Sequence, residues 1–195
     1  MNKLLGFYEL KDSGLPCVNW KTFHPEMKLD SNIMWTVRTA VYDGNDFNLP
    51  RKVGVRAKEA YETAIKFHEQ LKEHGIVIIY PYFIAQKSGT LEVSNERIVI
   101  EAVDKDLWNL VTENKKDVTI IKSTNNYIYQ GNKNFLSEYE LDLLELQTQK
   151  IKRLFRQELA SGKSILLEWS FALNTDISMF PIGNPYLIFY ECRTI

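Results

Sequence analysis

Two segments near the C-terminus constrain this chain more than any other feature. In Ile165–Leu173 and Tyr186–Arg193 a strand-like apolar pattern is interrupted by an acid, Glu168 in the first and Glu191 in the second. Period-two alternation puts Leu166, Glu168 and Ser170 on one face of the first strand, and Ile165, Leu167, Trp169 and Phe171 on the other. The same rule gives Leu187, Phe189, Glu191 and Arg193 a common face on the second. An antiparallel hairpin, closed by a loop containing Pro181, Gly183 and Pro185, sets Glu168 opposite Glu191. Opposed carboxylates on apolar strands repel, and burying them is costly unless a cation lies between. Mg²⁺ resolves the conflict with one or two carboxylates and phosphate oxygens as ligands. Arg193 is then within reach of a phosphate. The alternative is that each glutamate meets a lysine or arginine on a solvated sheet face. Arg38, which interrupts the β-rich Trp35-Thr36-Val37-Arg38-Thr39-Ala40, poses the same choice between a structural salt bridge and a phosphate contact.

The remaining pattern is strands with helices inserted. A short helix fits Lys3–Ser13, with Gly14 as its stop, and an extended piece follows at Cys17–Phe23. Ile33–Val41 reads as a strand, and Asp43–Pro50 as a loop built on Asp43-Gly44-Asn45-Asp46 and Asn48-Leu49-Pro50. Apolar residues at spacings of three and four predict a helix over Ala57–His74, ended by Gly75. Ile76–Tyr80 is apolar throughout and of strand length, so it is expected to be buried on both faces. Hairpins are predicted across Ser94-Asn95-Glu96 and across Asn125-Asn126. Ser137 with Glu140 is a capping-box pattern opening a helix that runs to Gly162. Adjacent hairpins with inserted helices argue for an α+β fold with mostly antiparallel sheets.

Composition closes off several functions. Lys and Arg number 24 against 25 Asp and Glu, a net charge of −1 that lacks the basic footprint of a general nucleic-acid binder. No apolar run is long enough to span a membrane, and two cysteines do not make a disulfide framework, so the expected setting is cytoplasmic. Neither a Walker A loop nor a GxGxxG is present. His68 and His74 stand six apart, off the i,i+4 spacing of a zinc helix.

Read in order, the motifs resemble the ATP-binding domain of the phosphoenolpyruvate synthase and pyruvate phosphate dikinase family, an ATP-grasp fold. Asn2-Lys3-Leu4-Leu5-Gly6 and Gly14-Leu15-Pro16-Cys17-Val18 are similar to that family's GGKGANL and GLPVP opening. Val37-Arg38-Thr39-Ala40, followed by Asp43 and Asp46, is similar to VRSSA…ED. Ile78-Ile79-Tyr80-Pro81-Tyr82-Phe83 with Ser88-Gly89-Thr90-Leu91 resembles IVVQxMV…SGV, and Ile98–Ala102 the strand carrying another carboxylate, here Glu101. Leu136-Ser137 with Glu140-Leu141 is similar to LTxEE. Leu167-Glu168-Trp169 and Glu191-Cys192-Arg193 resemble the closing DIEW and LQxRP elements. The departures are Asp104-Lys105-Asp106-Leu107-Trp108 in place of a GLGE turn, Leu166 for the aspartate of DIEW, and Glu191 for the glutamine of LQxRP.

The resemblance implies a compact two-lobed domain over 1–195, with a smaller lobe at about 1–84 and a larger one at about 85–195. It implies ATP and Mg²⁺ in the cleft between them. Glu168 and Glu191 would hold the metal, and Lys3, Arg38 and Arg193 the phosphates. Arg38 and Arg193 would also serve catalysis, Glu101 would add a carboxylate, and Tyr80 and Tyr82 would lie by the adenine unless they are simply core aromatics. The implied activity is ATP-dependent phosphoryl transfer to a small substrate or a partner, such as a separate phosphohistidine or barrel protein. The alternative is a degenerate, non-catalytic member that only binds.

Overall fold

The chain forms two antiparallel sheets, each flanked by a helix on its outer side, in a computed structural model that describes residues 1–44, 46, 49–107, 116–124 and 126–195. The expected turn residues Asn45, Asn48 and Asn125, and Trp108, lie outside the described residues.

The smaller sheet has the order β1-β4-β2-β3, from β1 (Lys21–Thr22), β2 (Met34–Val41), β3 (Arg51–Arg56) and β4 (Gly75–Pro81). Helix α2 (Ala57–Leu71) covers its outer face, where Ala60 and Ala64 pack on Val37, Val55, Val77 and Ile79. The apolar run of β4 is used on both faces as expected: Val77 and Ile79 meet α2, and Ile78 and Tyr80 turn inward. Helix α2 ends four residues ahead of Gly75, at Leu71, because Lys72 adopts φ 45 and a single 3₁₀ turn leads into β4. Strand β3 has no counterpart in the sequence reading.

The larger sheet has the order β10-β9-β5-β6-β7-β8. Its strands are β5 (Phe83–Val93), β6 (Ile98–Asp104), β7 (Val118–Ser123), β8 (Asn126–Gly131), β9 (Ile165–Thr175) and β10 (Pro181–Thr194). Helices α3 (Glu138–Leu154) and α4 (Arg156–Ala160) lie on its outer face, where Leu144, Ile151, Phe155 and Leu159 meet Leu91, Ile100, Leu167 and Trp169. The helix expected to run on to Gly162 breaks at Phe155, which leaves helical geometry with ψ 32 and is buried in that core. Ser137 caps α3 with the reciprocal bonds of a capping box. Ser137→Ala therefore is expected to cost about 1 kcal/mol in a urea titration, the usual worth of such a cap.

Helix α1 (Lys3–Asp12) joins the two layers. Asn2 caps it, accepting from the Leu5 N–H at 3.0 Å and donating to the Tyr42 carbonyl at the end of β2. Its other side lies on β10, where a Cβ added to Gly6 would sit 2.0 Å from the Cys192 carbonyl oxygen. Leu4 and Phe7 then pack with Ile78 and Tyr80 of one sheet and Ala172 and Ile188 of the other.

Strand β10 carries two irregularities. Pro181, Gly183 and Pro185 lie within it, where a loop was expected, with a register shift between Ile182 and Tyr186. An edge strand tolerates prolines because only one side pairs. The second shift lies between Phe189 and Glu191: Phe189 pairs with Trp169, Glu191 with Glu168, and Tyr190 is the extra residue of a β-bulge.

Candidate functional site

The expected pairing of Glu168 with Glu191 is the observed one. The face assignment along β10 differs from strict alternation. Leu187 and Phe189 are in the core under α3, whereas Glu191 and Arg193 face the other way. The bulge at Tyr190 is the physical reason, since one inserted residue reverses the side-chain alternation beyond it.

Both carboxylates open into a cleft of ≈ 1190 Å³ between the two sheets. One end is polar, with Lys3, Arg38, Ser170, Glu168, Glu191 and Arg193 in its lining. The other is mainly apolar, with Val53, Tyr82, Ile84, Leu173 and Pro181. Glu191 is 3% exposed and collects the cations. Arg38, from the middle of β2, donates through Nη2 to Oε2 at 2.9 Å. Arg193 donates through Nε to Oε1 at 2.6 Å, with Nη2 against the same oxygen. Lys3 brings its Nζ to 3.9 Å. Lys3 is held at the start of α1 by its own N–H, which donates to the Asp46 carboxylate at 2.9 Å.

The two glutamates are electrostatically unlike. Burial alone would raise the Glu191 carboxyl, but Arg38, Arg193 and Lys3 together outweigh it and hold it below the usual range. Glu168 forms no salt bridge among the described residues, and its carboxyl is pushed up to about 7, first by burial and then by the charge on Glu191. Burial also raises the Tyr190 hydroxyl, with Glu168 adding to the effect. Arg38 stays charged throughout the accessible pH range, because Tyr80, Glu191 and Glu168 more than offset its desolvation.

Lys3, Arg38, Tyr80, Tyr82, Glu168, Glu191 and Arg193 all line this one cleft. Tyr80 sits at the polar end with its hydroxyl beside Arg38, and Tyr82 at the apolar end. Glu101 is not brought in. It continues the row Glu191, Glu168, Thr90 across the sheet, but its carboxylate pairs with Lys116 and is absent from the cleft lining. The sequence reading missed Tyr190 and Arg51. Simple alternation sends Tyr190 to the core, and Arg51 opens the unread β3. Ser88 adds a hydroxyl bonded to that of Ser170 at 2.8 Å, a polar floor that the alternation of β5 could have signalled.

No protein-family model matches the chain, and no curated protein does. Solved structures match along nearly its whole length. It is similar to D-alanine–D-alanine ligase from Helicobacter pylori (14% identity, TM-score 0.50, 98% of this chain and 50% of that one). It is also similar to N5-carboxyaminoimidazole synthetase from Staphylococcus aureus complexed with ADP (13%, 0.53, 98% and 43%). A third match is the D-alanine–D-alanine ligase from Coxiella burnetii (11%, 0.51, 100% and 47%). These are ATP-grasp structures, and the chain has the ATP-grasp fold, spanning half or less of each. The expected α+β class with mostly antiparallel sheets is the observed one, the strands forming two antiparallel sheets. No helix among the described residues is long and apolar enough to cross a membrane.

Proposed function

We propose that the cleft binds ATP with Mg²⁺, the phosphates at the polar end and the base toward Tyr82. The observation that carries this reading is the opposed pair Glu168–Glu191 ringed by Arg38, Arg193 and Lys3. Three cations against two carboxylates leave an excess of positive charge suited to a polyphosphate, and arginines match phosphate geometry bidentately. The donor set also fits Mg²⁺. It offers carboxylate oxygens, and Glu168 forms no salt bridge among the described residues that would compete with an ion. Among the described residues no group of three or more metal-binding side chains exists, so phosphate oxygens and water would have to complete the coordination. When bound, held by Glu168 and Glu191, the ion would supply positive charge that offsets the charge on the phosphates.

The chain's own residues do the rest. Glu191 orients both guanidinium groups toward the cleft. Arg38, Arg193 and Lys3 offset the charge that develops as the terminal phosphoryl group leaves ADP for an acceptor, so positioning and electrostatics supply the catalysis. The acceptor in this reading is a small substrate or a partner's histidine, in line with the resemblance to phosphoenolpyruvate synthase. Titration calorimetry with MgATP tests it: saturable binding is expected, and none at millimolar nucleotide overturns it. Arg38→Ala should weaken that binding about 10–100-fold, the worth of a hydrogen bond to a charged group.

A second reading is a non-catalytic nucleotide-binding domain. It is favoured by the engagement of Glu191 with three cations, which competes with metal ligation. The two part on turnover: phosphoryl transfer abolished by Glu168→Gln supports the enzyme, and binding without release of ADP supports the other.

A further inference from the structure

Helix α3 carries a feature that the cleft does not use. Its inner face, with Leu144, Gln147, Thr148 and Ile151, is buried against the larger sheet. Its outer face exposes Tyr139 (70%), Leu146 (63%) and Leu154 (47%) among charged residues. Lone exposed apolar side chains need no explanation, but these recur at spacings of seven and eight, along one side of a helix.

The charges on that side are sorted by position. Glu138 and Asp142 occupy the first half of α3, Lys150 and Arg153 the second. Leu146 is the middle residue of Glu138–Leu154. About that centre one charged pair, Asp142 and Lys150, is antisymmetric. Asp142 lies four residues before Leu146 and Lys150 four after; Tyr139 lies seven before and Arg153 seven after. A parallel copy would set acid against acid. An antiparallel copy sets Leu146 on Leu146, Asp142 level with Lys150, and the Tyr139 ring level with the Arg153 guanidinium, a cation–π geometry. Antiparallel helices also place opposite ends of their dipoles together.

We propose that α3 is a self-association surface, on which two copies of this chain pair antiparallel about Leu146. Lys150 donates to the Gly14 carbonyl at 3.2 Å, and an ammonium has three donors, so this contact leaves it able to meet Asp142 of the second copy. The helix is about 25 Å long, so the pair buries less than a standard interface and forms a weak dimer, with Kd on the order of 100 µM. Because α3 lies on the face of the larger sheet opposite the cleft, both clefts stay open in the dimer. The proposal is independent of what the cleft binds.

Sedimentation of the chain from about 10 µM to about 1 mM tests it, a range that brackets the expected Kd. A concentration-dependent shift from monomer to dimer is expected. Leu146→Glu should stay monomeric throughout, with unchanged far-UV circular dichroism because the residue is exposed. Asp142→Lys should weaken the dimer about tenfold, each pair occurring twice by symmetry. The double variant Asp142→Lys/Lys150→Asp should recover it. A wild-type chain that remains monomeric, its stripe left to solvent or to a different protein, overturns the proposal. So does a dimer that survives Leu146→Glu, or a double variant that fails to recover.

Discussion

At pH 8 the Glu168→Gln protein is expected to melt at a higher temperature than the wild type and to have lost any phosphoryl transfer. The Glu168 carboxyl has an ordinary value of 4.5 and is raised to about 7 in the folded chain. Between those values the native state keeps a proton that the unfolded chain has released, so stability falls as pH rises through this window and is flat above it. Below 4.5 both states are protonated and the penalty vanishes. Allowing for the solvent that the cleft admits, the penalty above pH 7 is on the order of 2 kcal/mol. In a chain of this size that is roughly 4–8 °C in Tm. Glutamine keeps the shape without the charge, so melts at pH 4 should coincide and melts at pH 8 should separate. Equal separation at both values would sink the electrostatic account. A site that is destabilising when empty and charged is one that a cation would relieve.

Gly6→Ala should be the most damaging small substitution in the N-terminal helix. By propensity alone alanine would favour α1 by about 1 kcal/mol. The added methyl, however, would lie 2.0 Å from the Cys192 carbonyl oxygen, a backbone atom with no rotamer to escape into. Overpacking of this kind costs about 1–3 kcal/mol and at times more, so the clash outweighs the propensity and the variant is expected to be less stable. Relief requires α1 to move off β10. That would also withdraw Lys3 from Glu191, at 3.9 Å the longest of the three cation contacts. Chemical denaturation of Gly6→Ala and Gly6→Ser should both show the loss; a stabilised Gly6→Ala would mean that the close approach is not real.

What the sequence disclosed and what it hid follow from signal strength. The capping box at Ser137, the apolar run of β4 and the acids of β9 and β10 are local features with large energetic consequences, and each forms as read. Strand β3, Arg-Lys-Val-Gly-Val-Arg, escaped notice because it is an edge strand with an exposed first half, so it needs no apolar alternation. The start of β10 reads as a loop because prolines forbid a central strand, although an edge strand admits them. The convergence of Lys3, Arg38 and Arg193 on one carboxylate depends on how α1, β2 and β10 are brought together. No spacing along the chain encodes that; the order of short motifs hinted at it. Glu101 went astray for the same reason, its face being legible and its partner Lys116 not.

The bulge at Tyr190 makes that one position expendable to the register of the strand. Removing the Tyr190 codon would leave Phe189 followed directly by the acid, and regular alternation would then keep Glu191 and Arg193 on the cleft side and Cys192 in the interior. Chains that share this architecture can be aligned with confidence only if that one extra position is counted.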